Sequence, residues 1–221
     1  MTPFPDAFFF DLDGTLVDSA PDIRTCLFEA LRECEIETHG MIERFKIGPP
    51  LDAMIRLMDP DITEARLVSV VASFRKRYDQ SAYPLTVPFA GVESLLSILK
   101  SSGFPLYVAT NKPSCPSKRI VDKLGWHFFE AILTPDSFPG SRCNKAQLLQ
   151  RITAERRYNP RNCLMVGDLP EDVEAARTAG FSSVVVSWGY GNANDLAQCG
   201  ADWLVSEPAQ VMAIRKESTD V

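Results

Sequence analysis

Histidine is scarce in this chain: His39 and His127 are the two among 221 residues. Neither has a partner at the spacing of a zinc-hydrolase helix, and the Gly-x-Ser-x-Gly elbow is absent. Zinc hydrolysis is therefore disfavoured, and a Ser-His-Asp triad weakly so. Nothing nearby in sequence orients either imidazole, so neither is expected to be catalytic. The chain also lacks any apolar run near the roughly 20 residues that span a bilayer. Its start, MTPFPDAFFF, carries no basic stretch followed by an apolar segment and a small-residue cleavage site. A cytoplasmic protein with no membrane partner is expected. An excess of positive charge is missing too: 23 Lys and Arg face 29 Asp and Glu, a net charge of -6. That is the wrong sign for gripping nucleic acid, although a local basic pocket for one phosphate remains open. The six cysteines, Cys26, Cys34, Cys115, Cys143, Cys163 and Cys199, include no Cys-x-x-Cys pair, and reduced thiols are expected.

What the chain does have is a set of short apolar runs, each as long as a strand buried on both faces: Phe8 to Phe10, Pro105 to Thr110, Cys163 to Asp168 and Ser183 to Trp188. Helical patterns separate them. Val92 to Lys100 has apolar residues at Val92, Leu95, Leu96, Ile98 and Leu99, and Lys145 to Ala154 has them at Ala146, Leu148, Leu149 and Ile152. Alternation of this kind predicts an α/β fold with a doubly wound, Rossmann-like parallel sheet. Between Pro21 and Pro84 the alternation stops, and three amphipathic segments follow without a buried strand: Ile23 to Leu31, Leu51 to Met58 and Thr63 to Tyr78. The expected organisation is a core of residues 1–18 and 85–221 with a small α-helical cap, 19–84, inserted into it. Within that insertion Gly48-Pro49-Pro50 either starts a helix or forms a substrate-facing loop to which Lys46 adds charge.

In an open parallel sheet, ligands bind beyond the carboxyl ends of the strands. The residues just past the apolar runs are Asp11 with Asp13, Thr110 with Asn111, and Asp168 with Asp172. Carboxylates gathered at one edge repel one another unless a hard cation neutralises them, and an all-oxygen set suits Mg2+. A carboxylate is already ionised at neutral pH, so Asp11 can attack phosphorus directly and form an aspartyl-phosphate. Asp13, two residues on, is placed to act as general acid to the leaving alkoxide and then as general base to water. Thr110 and Asn111 suit hydrogen bonds to phosphoryl oxygens, and Lys145 suits the fixed positive charge that phosphoryl transfer needs. Arg142 and Lys112 compete with Lys145 for that role, as Glu171 competes with Asp172.

The segments DLDGTLVDS (Asp11 to Ser19), VATNK (Val108 to Lys112), NKAQLL (Asn144 to Leu149) and VGDLPEDVEAA (Val166 to Ala176) resemble, in order, the four motifs of the haloacid dehalogenase-like hydrolase superfamily. FKIGPPL, PFAGVESLL and SWGYGNANDL look most like its phosphoglycolate phosphatase-like branch with a small helical cap. The resemblance implies Asp11 as nucleophile and Mg2+ ligand, Asp13 as acid/base whose backbone carbonyl also binds metal, and Asp168 as a further ligand. Asp172 matches the second acid of the Gly-Asp-x-x-x-Asp pattern, as a ligand or an outer partner. Because Asp13 is an acid where ester cleavage needs one, the expected reaction is hydrolysis of a small phosphomonoester. A phosphomutase of the β-phosphoglucomutase type, a pyrophosphatase or nucleotidase, and a non-catalytic phosphate-binding protein are the alternatives.

Overall fold

The computed structural model describes residues 5–37, 45, 47–48, 50–138, 140 and 142–214. The expectations for His39, Lys46 and Pro49 lie outside these residues. The chain divides into two compact units, Met1–Val17 with Pro88–Val221, and Asp18–Val87.

In the first unit, six strands form one parallel sheet. They are β1 (Ala7–Phe10), β4 (Leu106–Ala109), β5 (Ala131–Leu133), β6 (Cys163–Gly167), β7 (Ser182–Val186) and β8 (Trp203–Val205), in the order β5-β4-β1-β6-β7-β8. Strand β1 is central because all four of its residues, Ala7-Phe-Phe-Phe10, are apolar and can be covered on both faces. On one face Phe9 stacks on Tyr107 at 4.7 Å and meets Phe181 edge-on at 5.0 Å. On the other, Phe8 meets Phe104 at 5.2 Å. Register runs Phe8 to Leu106 on one side and Phe8 to Leu164 on the other. From β1 the chain moves outward to β4 and β5, then returns to β6 beside β1 and runs out through β7 to β8, so the winding reverses between β1 and β6, the place where open parallel sheets bind ligands beyond their carboxyl ends.

Strands β5 and β8 have no counterpart among the apolar runs read from sequence. Each is three residues long, lies at an edge and is partly exposed, so neither produces a continuous apolar signal. Helices α4 (Val92–Ser101), α5 (Ser114–Lys123), α6 (Lys145–Arg156), α7 (Pro170–Ala179), α8 (Ala193–Gln198) and α9 (Pro208–Val211) complete this unit. Helix α4 buries Val92, Leu95, Leu96 and Leu99, a face at i, i+3, i+4 and i+7. Ile98, expected to join that face, is 44% exposed because it lies about 100° around the helix from Leu99.

The second unit holds α1 (Ala20–Glu33), α2 (Leu51–Met58) and α3 (Glu64–Gln80), and β2 (Val17–Asp18) pairs with β3 (Val87–Pro88) where the chain passes between the units. Helices α1 and α3 pack on each other, and Arg77 bridges Glu33 at 2.8 Å and Glu29 at 3.3 Å on their exposed side. Asp22, buried near the start of α1, accepts from Leu85 N–H at 3.0 Å and Thr86 Oγ1–H at 2.7 Å. That carboxylate ties the beginning of the unit to its end. Among the described residues no helix is long and apolar enough to cross a membrane.

Candidate active site

The site is built where β1, β4 and β6 end. Asp11 N–H makes the last ladder bond of β1, to Val166 O at 2.9 Å, and the chain then turns sharply. Leu12 O accepts from Leu16 and Val17, each at 3.0 Å, and Gly14 N–H donates to Val17 O at 2.9 Å. Gly14 has φ +87°, and a Cβ there would lie 2.1 Å from Asp168 Oδ2. Glycine is needed twice over, for the left-handed backbone and for the approach of the neighbouring carboxylate.

Asp168 follows β6 and Asp172 lies in the first turn of α7, so both reach the same edge as Asp11. Asp11, Asp168 and Asp172 are all buried, and each offers a carboxylate oxygen within 4.8 Å of the others. Glu171, the rival of Asp172, is exposed. Lys145, the first residue of α6 and itself buried, donates from Nζ to Asp11 Oδ1 at 2.8 Å and to Asp172 Oδ1. Leu169 N–H gives Asp172 Oδ2 a further hydrogen bond of 3.1 Å. Arg142 is exposed; against the upward push of burial, the Asp136 carboxyl is held below its ordinary value first by the Thr134 hydroxyl and the Ser114 N–H, with Arg142 the smallest contributor.

Burial pushes the Asp11 carboxyl up to about 6 despite the opposing pull of Lys145, and Asp172 adds to the rise. Asp168 is pushed up to about 8, first by burial and then by Asp11 and Asp172. Two hydrogen bonds resist that shift: Thr15 Oγ1–H to Asp168 Oδ1 at 3.0 Å and Tyr190 N–H to Asp168 Oδ2 at 2.8 Å. For Lys145 burial favours the neutral amine, yet Asp11 and Asp172 together outweigh it and hold the ammonium above its ordinary value. With all three carboxylates ionised, one ammonium would leave two negative charges in a desolvated space, and burial and mutual repulsion therefore favour proton uptake by Asp168 and Asp11 where no cation is bound. An all-oxygen donor set of this kind fits a hard divalent cation, which Asp11, Asp168 and Asp172 could hold.

Asp13 stands outside this cluster. Its two carboxylate oxygens each accept from Lys112 Nζ at 2.9 Å, across 99 residues of sequence. Thr110, buried at the end of β4, accepts from Lys112 N–H at 3.2 Å, and Asn111 between them is exposed. Lys112 is thus paired with Asp13, and Lys145 with Asp11 and Asp172.

Several supporting residues carry no role in the sequence reading. Thr15 and Tyr190 orient Asp168, and Trp188 Nε1–H donates to Thr15 O at 3.0 Å. A Cβ on Gly189 would lie 2.2 Å from Gly14 O and 2.4 Å from Asp168 Cβ, and one on Gly191 would lie 2.1 Å from Asp168 O. These residues belong to DLDGTLVDS and SWGYGNANDL, which were legible as segments but not as a carboxylate-packing arrangement.

Together, the parallel sheet and the carboxylate-lysine cluster at its carboxyl edge give the architecture of an α/β enzyme with buried acids gathered at the strand ends. The family model described as haloacid dehalogenase-like hydrolase matches residues 8–186, and the chain belongs to that family. It is 33% identical over 212 residues to a phosphoglycolate phosphatase of Xylella fastidiosa, covering 93% of this chain and 90% of that one. It is 34% identical over 191 residues to the tyrosine-protein kinase PtkA of Mycobacterium tuberculosis, covering 86% of this chain and 65% of that protein. Among solved structures, a haloacid dehalogenase-like hydrolase from Streptococcus pneumoniae superposes with a TM-score of 0.82 at 27% identity, covering 95% of this chain and 97% of that one.

Proposed function

We propose that this phosphatase hydrolyses a small phosphomonoester, of the phosphoglycolate type, through an aspartyl-phosphate on Asp11. The observation that carries the proposal is the placement of Asp11. It is a buried carboxylate at the carboxyl edge of the sheet, with Lys145 at 2.8 Å and two further acids converging on it.

In the first half-reaction an Asp11 oxygen bonds to phosphorus as the bond from phosphorus to the leaving oxygen breaks, and Asp13 gives its proton to that oxygen. In the second, Asp13 takes a proton from water as the water oxygen bonds to phosphorus, which frees Asp11 and releases inorganic phosphate. Lys145 keeps Asp11 oriented and supplies positive charge beside the transferring group, while Thr110 and Asn111 donate to its oxygens. Mg2+, held by Asp11, Asp168, Asp172 and the Asp13 carbonyl, would offset repulsion between the nucleophile and the phosphate. The helical unit, Asp18–Val87, is assigned as the cap that selects the substrate.

The test is phosphate release from a panel of small phosphoesters in Mg2+, compared between the native chain and Asp11→Asn. Loss of at least about 10³-fold with Asp11→Asn is expected, and a native rate in that variant overturns the covalent route. The panel includes a hexose 1-phosphate, whose conversion to the 6-phosphate without phosphate release marks a mutase. It also includes ATP with a tyrosyl peptide, where label transfer to the peptide marks a kinase.

A further inference from the structure

Trp188 has no part in the proposed chemistry, yet it reaches into the site. It lies two residues past β7, at the carboxyl edge of the sheet, and is half-buried. An indole N–H can only donate, and one withdrawn from water seeks an acceptor. Trp188 Nε1–H donates to Thr15 O at 3.0 Å, across 173 residues of sequence.

That bond joins two segments that grip the same carboxylate. Thr15 Oγ1–H donates to Asp168 Oδ1 at 3.0 Å, and Tyr190 N–H, two residues after Trp188, donates to Asp168 Oδ2 at 2.8 Å. Each carboxylate oxygen has two lone-pair directions, and a hydrogen bond occupies one of them. Gly14 and Gly189 pack so closely on Asp168 that a Cβ on either would overlap it. Asp11 and Asp172 are held differently, since they share the Lys145 ammonium at the end of a long side chain. Asp168 is fully buried and is fixed by neutral donors from two directions.

A fixed acid discriminates between cations. Mg2+ demands near-ideal octahedral geometry at about 2.0–2.1 Å, whereas Ca2+ takes more oxygens at about 2.3–2.6 Å and tolerates irregular arrangements. Loosening one ligand therefore costs Mg2+ more than Ca2+. We infer that Trp188 is a positioning residue that sets the preference of the site for Mg2+ over Ca2+, by clasping the Thr15 and Tyr190 segments around Asp168. The inference rests on the proposed role of Asp168 as a metal ligand.

The experiment is isothermal titration of the metal-free full chain with Mg2+ and, separately, with Ca2+. Trp188→Phe keeps an aromatic ring and removes the N–H. It is expected to weaken Mg2+ binding about 10-fold, the lower end of the cost of disturbing a ligand's support, and Ca2+ binding less than about 3-fold. The ratio of the two Kd values then narrows. Thr15→Val tests the clasp from its other side without touching the indole, and is expected to narrow the ratio too. Thr15→Ser, which keeps the hydroxyl, is expected to restore much of it. Combining Trp188→Phe with Thr15→Val is expected to weaken Mg2+ binding by less than the product of the single losses, because both act on one carboxylate. Thermal melts of each metal-free variant accompany the titrations. Equal weakening of both cations, or a double loss equal to the product, marks general loosening and overturns the inference. Native Mg2+ affinity in Trp188→Phe beside lost binding in Asp168→Asn also overturns it, and leaves Asp168 standing as a ligand. Native Mg2+ affinity in Asp168→Asn overturns both.

Discussion

Lys145 Nζ sits 2.8 Å from Asp11 Oδ1 and donates at the same time to Asp172, so one ammonium serves two of the three clustered acids. The pairing explains how these carboxylates can be buried side by side. It also places a cation beside the atom assigned to attack phosphorus.

Replacing that cation separates its two effects. Lys145→Met is expected to lower kcat by about 10²- to 10³-fold, the usual cost of losing a fixed charge at a reacting centre. It is also expected to destabilise the metal-free protein by about 3 kcal/mol, because a buried charge pair is broken from one side. Steady-state kinetics and denaturant unfolding measure the two. A catalytic loss that Mg2+ reverses completely would show that only the net charge mattered.

The packing around Asp168 leaves no room for a methyl group. Gly189→Ala puts a Cβ 2.2 Å from Gly14 O and 2.4 Å from Asp168 Cβ, so the carboxylate must move. Apparent Mg2+ affinity is expected to fall about 10- to 100-fold, as when the support of a metal ligand is disturbed. The measure is the Mg2+ dependence of activity at fixed substrate, with isothermal titration as a check. Gly103→Ala, where a Cβ meets nothing within 4 Å but φ is +82°, serves as the backbone-strain control and is expected to leave Mg2+ dependence unchanged.

The raised acids make stability depend on pH in a stated direction. Asp11 is pushed up to about 6 and Asp168 to about 8, both above the 3.8 of a free aspartate. Between pH 4 and 8 the folded protein therefore holds protons that the unfolded chain has lost, and metal-free stability falls as pH rises through that window. A divalent cation that binds the ionised acids reverses the loss. Mg2+ is expected to raise Tm by about 5 °C at pH 8 and by much less at pH 5. Melting curves in EDTA and in saturating Mg2+ at the two pH values provide the check, and an equal rise at both would exclude the cluster as the binding site.

Much of the core was readable because its signals are local. Phe8-Phe-Phe10 ends at Asp11 within a single strand, and an apolar run stopped by an acid is visible without any partner. The same holds for Cys163 to Gly167 before Asp168, and for the face that Leu95, Leu96 and Leu99 form on α4. The short edge strands Ala131–Leu133 and Trp203–Val205 were not readable, because their pairing with β4 and β7 rather than their composition makes them strands. Ile98 looked like core for a related reason: hydrophobicity alone does not say on which side of a helix a residue falls.

For the site itself, the sequence determined which groups are available: the candidate nucleophile Asp11, the candidate acid/base Asp13, the candidate metal-binding acids Asp168 and Asp172, and the lysines. Their type and their position after buried strands are local properties, set by chain order and strand period. Which lysine meets which acid was decided only by the fold. Lys145 and Asp11 are 134 residues apart, and Lys112 and Asp13 are 99. Only strand order and helix packing bring such groups within 3 Å, and sequence spacing carries no trace of that distance. The same holds for Gly189, whose missing side chain matters because Asp168 and Gly14 occupy the space it would need.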